Sequence, residues 1–457
     1  MNLLAAVAAA TLAVLPGQPP PSPVAVQEMQ LSVTTVDGLT LPATLHVPAG
    51  AQSGLPGMVL VHGSGPHTRE DLAAEADAFA RAGIVTLAYD KRTVGYSFTQ
   101  RSYSRLADDA IAAAAVLRGR AEVDPAKVGI WGLSEGGWVA PLAAARDPRT
   151  AFVVVVGANG IAPLGQQTWA DASRMEHAGV RGSLVDASSR TPYRLAAGLG
   201  VFTEAHYDPG PPLRALTLPV LGVWGALDRA TPPVESAAAY RRFLDEAGNG
   251  HYTLRTFDGA EHALRTSATG YERGGEFAPG YVDLVGSWVA DVAAGRIPPT
   301  SVAGTGEQLR TSADVPPLAW YESAAVQAGA LTVMLAGFAG LGLTAAWRRI
   351  RGRSGLPAPW SARVLAGAGL VAVPGCVLYL GSVMVSRGDA FDPGPMIAGR
   401  PLPWLALQAL AVVAAGAGVA LAARTWRRGG DGPRTALLLG AGAVFVLWGG
   451  YWGLLLP

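Results

Sequence analysis

The stretch Trp131-Gly132-Leu133-Ser134-Glu135-Gly136-Gly137 decides the reading of this chain. It is a G-x-S-x-G pattern, and its surroundings give the pattern meaning. A short β-type run, residues 127–131, precedes it, and residues 138–145 read as a helix. A strand-to-helix turn tight enough to expose a serine hydroxyl leaves no room for side chains two residues either side, hence the glycines. Ser134 is the candidate nucleophile.

Two further runs supply partners in the order Ser, acid, His. Residues 219–224 form an apolar run followed by Gly225-Ala226-Leu227-Asp228, which puts Asp228 in the loop after a buried strand. Residues 252–257 read as the next strand, followed by Asp258-Gly259-Ala260-Glu261-His262. The expected roles are attack by Ser134, proton transfer by His262 and orientation of the imidazole by Asp228. Asp258 is the fallback acid. A strand over 57–61 runs into His62-Gly63-Ser64-Gly65-Pro66, a turn able to aim a backbone N–H at a developing oxyanion. The two donors are assigned to the N–H groups of Ser64 and Glu135, and His62 is read as a brace for the turn.

With these segments in hand, HGSGP at 62–66, YDKRTVGYS at 89–97, GLSEGG at 132–137, GALD ending at Asp228 and GAEH ending at His262 resemble a known group. It is the bacterial α/β-hydrolases of the esterase and serine-aminopeptidase-like kind, in particular carboxylesterases with HGSGP and a Ser-Glu-Gly-Gly elbow. The resemblance covers roughly residues 30–295. It implies a Ser134–Asp228–His262 triad and action on carboxylic esters. Thr93 stands where such segments commonly carry glycine, and the elbow begins GLS rather than GHS. Both departures bear on specificity more than on activity.

Composition points to two unlike parts. Half of the 457 residues are hydrophobic and only 15% are charged, with the deficit of charge concentrated in the last third. A net charge of +1 and the lack of a basic stripe argue against a nucleic-acid partner. One cysteine, Cys376, excludes an intramolecular disulfide, and the seven histidines lack metal-ligand spacing. Neither a metal nor an organic cofactor is expected. The expected partner is instead a small ester or acyl substrate, with lipid-derived esters among the candidates.

Residues 3–15 form an apolar run broken by Pro16 and Gly17. Residues 1–23 read as a signal peptide or, alternatively, as an uncleaved N-terminal anchor. Toward the other end lie four apolar stretches of spanning length, at about 323–346, 364–385, 402–423 and 435–456, none with an ionisable residue inside. The first connecting loop holds Arg348, Arg349, Arg351, Arg353 and Arg363, and the third holds Arg424, Arg427, Arg428 and Arg434. The second has only Arg387 and Arg400, offset by Asp389 and Asp392. The positive-inside rule makes the first and third loops cytoplasmic and the preceding domain extracytoplasmic. Trp320, Tyr321, Trp347, Trp360, Trp404 and Trp426 are expected at the interfaces. Gln327 and Gln408 are expected to bond across helices.

The expected fold class is therefore α/β. A mostly parallel sheet covered on both faces (residues 27–295, an α/β-hydrolase fold) precedes an all-α region of four transmembrane helices (320–457), joined by an exposed linker (296–319). Asp37-Gly38 marks a hairpin of edge strands. Residues 161–215 interrupt the alternation and read as a lid insertion. Within it Trp169, Tyr193 and Phe202, with Trp138 beside the elbow, are candidate substrate-binding residues, the alternative being that they form the lid's own core. Asp90, Lys91 and Arg92 are read as an ion-pair network bracing the site. Asp108 and Asp109 are read as favourable charges at a helix N-terminus. The functional expectation is a membrane-tethered extracytoplasmic serine esterase. A serine peptidase on the same fold and a non-catalytic membrane-anchored binding module are the alternatives.

Overall fold

The computed structural model describes residues 25–51, 53–353, 358–386, 392–428 and 432–457. The expected signal or anchor segment 1–23 lies outside the described residues, as do Arg387 and Asp389. The chain opens with a hairpin, β1 (Val26–Thr34) and β2 (Thr40–Pro48), turning at Asp37-Gly38. Strand β3 (Leu55–Val61), helix α1 (Ala73–Arg81), β4 (Val85–Tyr89), α2 (Tyr103–Arg118) and β5 (Val123–Leu133) follow. Helix α3 (Gly136–Arg146) leads to β6 (Val153–Val156), whose sequence is four valines, all buried.

Four helices come next: α4 (Pro163–His177), α5 (Ser183–Ser189), α6 (Thr191–Gly198) and α7 (Gly210–Arg214). Then β7 (Val220–Gly225), α8 (Pro233–Glu246), β8 (Tyr252–Phe257), α9 (Tyr281–Ala293) and β9 (Ser301–Ala303) complete the first part. The strand order is β1-β2-β4-β3-β5-β6-β7-β8-β9, antiparallel at β1–β2–β4 and parallel from β4 through β9. One face packs Leu106, Val139 and Tyr240 from α2, α3 and α8; the other packs Phe79 and Trp288 from α1 and α9. Strands buried on both faces carry runs of Val, Ile and Leu rather than an alternating pattern. This is an α/β-hydrolase fold.

Segment 296–319, expected as an exposed linker, is exposed or half-buried throughout and also docks along the sheet. Ser301–Ala303 adds a ninth strand parallel to β8. Beyond it, Glu307 N–H donates to Ala226 O, and Gln308 Oε1 accepts the N–H groups of Val234 and Glu235 at 3.1 Å each. The physical reason is the edge of β8, which otherwise leaves backbone groups unpaired. A three-residue strand is too short to show periodicity.

The last part contains α10 (Ala324–Ile350), α11 (Trp360–Val385), α12 (Leu402–Arg428) and α13 (Gly432–Tyr451), all long and apolar enough to cross a membrane. The fourth ends earlier than expected, at Tyr451, where the backbone turns at Gly453 (φ +79°). Phe338, Leu365, Cys376, Trp404 and Phe445 fill the bundle interior. Trp404 was expected at an interface; instead it is fully buried, with its ring 6.0 Å from that of Tyr379. Trp320, Trp347, Trp360 and Trp426 are exposed.

The two parts are joined through the insertion. Ala172, Met175, Val180, Leu184 and Val185 enter the same apolar core as the bundle. Ser183 Oγ donates to Gly453 O at 2.8 Å and accepts from Gln408 Nε2 at 3.3 Å, and Arg181 N–H donates to Gly399 O. Arg194 on α6 donates to both carboxylate oxygens of Glu322 at 2.6 and 2.7 Å, and to Pro316 O and Pro317 O. The guanidinium holds the Glu322 carboxyl below the usual glutamate range. Glu322→Ala strands a nearly buried cation, an expected cost of about 3–5 kcal/mol. Limited proteolysis of the full chain in detergent should then cut residues 161–215 markedly faster than in wild type. Equal rates would show that the ion pair does not hold the insertion down.

Candidate functional site

Ser134 sits at the turn between β5 and α3 with φ +56°, a left-handed conformation costly for a side chain other than glycine. Its flanking glycines are there for contact. A Cβ on Gly132 would lie 2.1 Å from Gly136 O, and one on Gly136 would lie 2.6 Å from Val61 O. The Ser134 N–H donates to Val156 O at 2.9 Å, tying the turn to the end of β6.

Asp228 follows β7 and is fully buried. Its Oδ1 accepts the N–H groups of Ala230 and Thr231 at 2.8 Å each. Its Oδ2 accepts the Thr231 hydroxyl at 2.6 Å and His262 Nδ1–H at 2.8 Å. Four donors hold the carboxylate in place, and it in turn fixes the imidazole with a proton on Nδ1 and a lone pair on Nε2. Burial opposes the His262 cation, but the Asp228 charge outweighs it and holds the pKa above the ordinary 6.5. The imidazole lies over Gly157, the residue after the one that binds Ser134; a Cβ there would be 2.7 Å from Nδ1. Ser134, Asp228 and His262 thus gather at the C-terminal ends of β5–β8. Asp258, the fallback acid, is exposed on the surface loop.

The 62–66 turn lies against the nucleophile, with a Gly63 Cβ position 3.4 Å from Ser134 Cβ. His62 is buried and donates from Nε2 to Tyr89 O at 2.8 Å; burial pushes its pKa down to about 4. It braces the turn, as the sequence suggested. Among the described residues, the N–H groups of Ser64 and Glu135 donate to no protein acceptor.

What sequence reasoning missed is the Glu135 side chain. It is buried beside the nucleophile, 2.5 Å from Lys91 Nζ, 2.9 Å from Tyr96 Oη and 3.0 Å from Arg101 Nη1. Arg101 also donates to Ser64 Oγ at 3.0 Å, and Gly65 N–H donates to Tyr96 Oη at 3.0 Å. The cluster therefore joins the nucleophile turn, the 62–66 turn and the 91–101 loop. An acidic residue inside the elbow, needing a buried cation, was the available signal. The neighbouring network is more extended than expected: Asp90 binds Arg69, and Arg92 is held by Asp37 and Asp109. Asp109 is fully buried in the second turn of α2, so its partner is Arg92 and not the helix terminus; Asp108 pairs with Arg146.

The four aromatic candidates are core residues. Trp138 stacks on Tyr103 at 5.3 Å and donates to Ile161 O. Trp169 donates to Arg310 O at 2.8 Å. Tyr193 and Phe202 pack with Leu164 and Ala205 in the insertion's own cluster. Phe202 alone reaches toward the site, stacking on Phe98 of the 91–101 loop at 5.4 Å.

Comparison with known proteins places this site in context. Residues 72–278 match the prolyl oligopeptidase family profile, a span that includes Ser134, Asp228 and His262. A polyketide transferase of Penicillium crustosum is 35% identical over 27% of this chain and 42% of its own length. A thiohydrolase of Aspergillus aculeatus is 30% identical over 28% of this chain and 40% of its own. The chain thus spans about two fifths of the curated relatives it matches. Among solved structures, the thermostable carboxylesterase EstE1 from a metagenomic library matches 60% of this chain and 91% of its own, at 20% identity and a TM-score of 0.42.

The two buried imidazoles should titrate differently. In 15N spectra assigned through His62→Gln and His262→Gln, His62 should stay neutral and protonated on Nε2 from about pH 5 to pH 9, while His262 changes charge at a midpoint above its ordinary value. A His62 midpoint near neutrality would show that it is not a buried neutral donor.

Proposed function

We propose that the chain is a membrane-tethered serine hydrolase acting on carboxylic esters, with Ser134 as nucleophile, His262 as general base and acid, and Asp228 as its orienting carboxylate. The observation that carries the reading is the Asp228–His262 hydrogen bond at 2.8 Å, set at the same sheet end as a serine held at φ +56°. In this mechanism Ser134 Oγ adds to the ester carbonyl as its proton passes to His262 Nε2. The oxyanion takes hydrogen bonds from the N–H groups of Ser64 and Glu135. His262 returns the proton to the departing alkoxide, leaving an acyl-Ser134 ester. A water then gives its proton to His262 and attacks that ester, releasing the acid and restoring the serine.

A serine peptidase is the second reading, favoured by the match of residues 72–278 to the prolyl oligopeptidase family. The same three side chains serve both chemistries, so substrate preference must decide between them.

Charge and docking together support an extracytoplasmic hydrolase domain. Arg348 and Arg349 end α10, and Arg427 and Arg428 end α12. The insertion contacts the opposite end, near the start of α10 and the close of α13. With the arginine-rich end cytoplasmic, the hydrolase domain is extracytoplasmic.

A fluorophosphonate probe should label the wild type and not Ser134→Ala; no labelling of the wild type would leave only a binding module. Asp228→Asn should lower kcat by several orders of magnitude, on the order of 10⁴ for loss of the tautomer restraint. Because neutral His262 is the working form and its pKa is raised, kcat/KM should fall on acidification through a midpoint above 6.5. Matched p-nitrophenyl esters should turn over faster than aminoacyl anilides; the reverse order would install the peptidase reading. A reporter fused after Pro317 should be active only outside, and cytoplasmic activity would overturn the topology.

A further inference from the structure

A cavity of about 340 Å³ separates the insertion from the bundle, within the usual ~300–1,000 Å³ of small-molecule sites. Leu195 of α6, Leu331 of α10, Leu380 and Met384 of α11, and Trp448 of α13 line it. We propose that it binds one acyl chain of a membrane ester lipid, which makes lipid esters the substrate class of the neighbouring hydrolase site. The inference rests on the membrane and hydrolase readings above.

Location argues for a lipid over a protein or a soluble ligand. Three of the cavity's four walls are helices long and apolar enough to span, and the outward residues nearby are apolar and exposed: Val326, Leu378 and Val385. At that depth the surrounding medium is hydrocarbon, so a space between spanning helices fills with acyl chain. At the rim, Trp452 N–H is satisfied by Gln327 Oε1 at 3.0 Å, and the remaining walls offer the apolar lining that an alkyl chain fills.

The cavity also adjoins the path to the nucleophile. Met384 packs against the Tyr193–Phe202 cluster, Phe202 stacks on Phe98, and the Phe98 loop carries Lys91, Tyr96 and Arg101 around Glu135. Helix α6 therefore has the cavity on one side and leads through its neighbours to the nucleophile turn. A lipid anchored by its chain needs to cross one helical layer to present an ester.

The test uses the full chain in phosphatidylcholine nanodiscs with a diazirine on the acyl chain, in an ester-linked probe and its ether-linked analogue. Crosslinks should map to α6, α10 and α11 residues of the cavity with both probes, and only the ester-linked probe should lose its acyl chain, to wild type and not to Ser134→Ala. Gly381 lines the cavity, and the space its Cβ would take has no atom within 4 Å. Gly381→Leu should thus cut cavity crosslinks about tenfold, whereas Gly340→Leu, also facing open space but outside the cavity, should leave them and short-ester turnover unchanged. If Gly381→Leu folds normally and crosslinks persist, or if labels spread over the outward helix faces alone, the proposal falls. Cavity crosslinks without fluorophosphonate labelling of Ser134 would uphold the lipid site and reject the hydrolase reading. Extraction of the chain without detergent would reject the membrane reading itself.

Discussion

The backbone at Ser134 is held left-handed because three chain segments meet there with no space to spare. Gly132 touches the backbone of Gly136, Gly136 touches that of Val61, and the Ser134 N–H is tied to Val156. Strands β3, β5 and β6 must therefore be in register before the turn can close, and strain costing about 1–3 kcal/mol persists only because their packing over-determines it. Large side chains at Gly132 or Gly136 would push apart the strands that also position the 62–66 turn. Sheet order, turn and candidate site are consequences of a single close approach.

Charge burial supplies the second restraint. Glu135 is buried beneath the turn against Lys91 and Arg101, and those side chains come from the 91–101 loop, which passes the end of β3 to reach it. Arg92, one residue along the same loop, is anchored in turn by Asp109 of α2 and Asp37 of the edge hairpin. Removing Asp109 leaves the buried Arg92 with only the exposed Asp37, which is far costlier than the buried pair is stabilising. The network therefore acts chiefly to specify where the loop lies.

The sequence made legible whatever depends on local pattern. Valine-rich runs, the Asp37-Gly38 hairpin, the long uncharged stretches and the residues at the strand ends all announce themselves within a dozen positions. Helix α2 begins at Tyr103 because Ser102, a capping residue visible in the local sequence, accepts the Arg105 N–H. What escaped depends on partners far away in the chain. Asp109 looks like a helix-terminal charge until Arg92 is found beside it, and Glu135 looks like a backbone donor until Arg101 arrives from another loop. Trp404 has the composition and position of an interfacial residue, yet the partner helices cover it. Trp169 and Tyr193 could not be told from pocket residues, since burial against a lid core and burial against substrate select the same side chains.

The insertion carries the largest consequence of such distant pairing. Its apolar residues complete the bundle core, while its Phe202 touches the loop that surrounds the nucleophile turn. A lid that belonged only to the hydrolase domain would be free to open into solvent. Here Arg194 is clamped by Glu322 at the very entry to α10, and Ser183 is bonded to the segment that closes α13. Motion of α6 must therefore be accommodated by the helix bundle, and displacement of the bundle must be felt at the Phe98 loop. That coupling ties the four long helices to the surroundings of the candidate site, because the layer that packs on the Phe98 loop is also the layer that packs into the bundle.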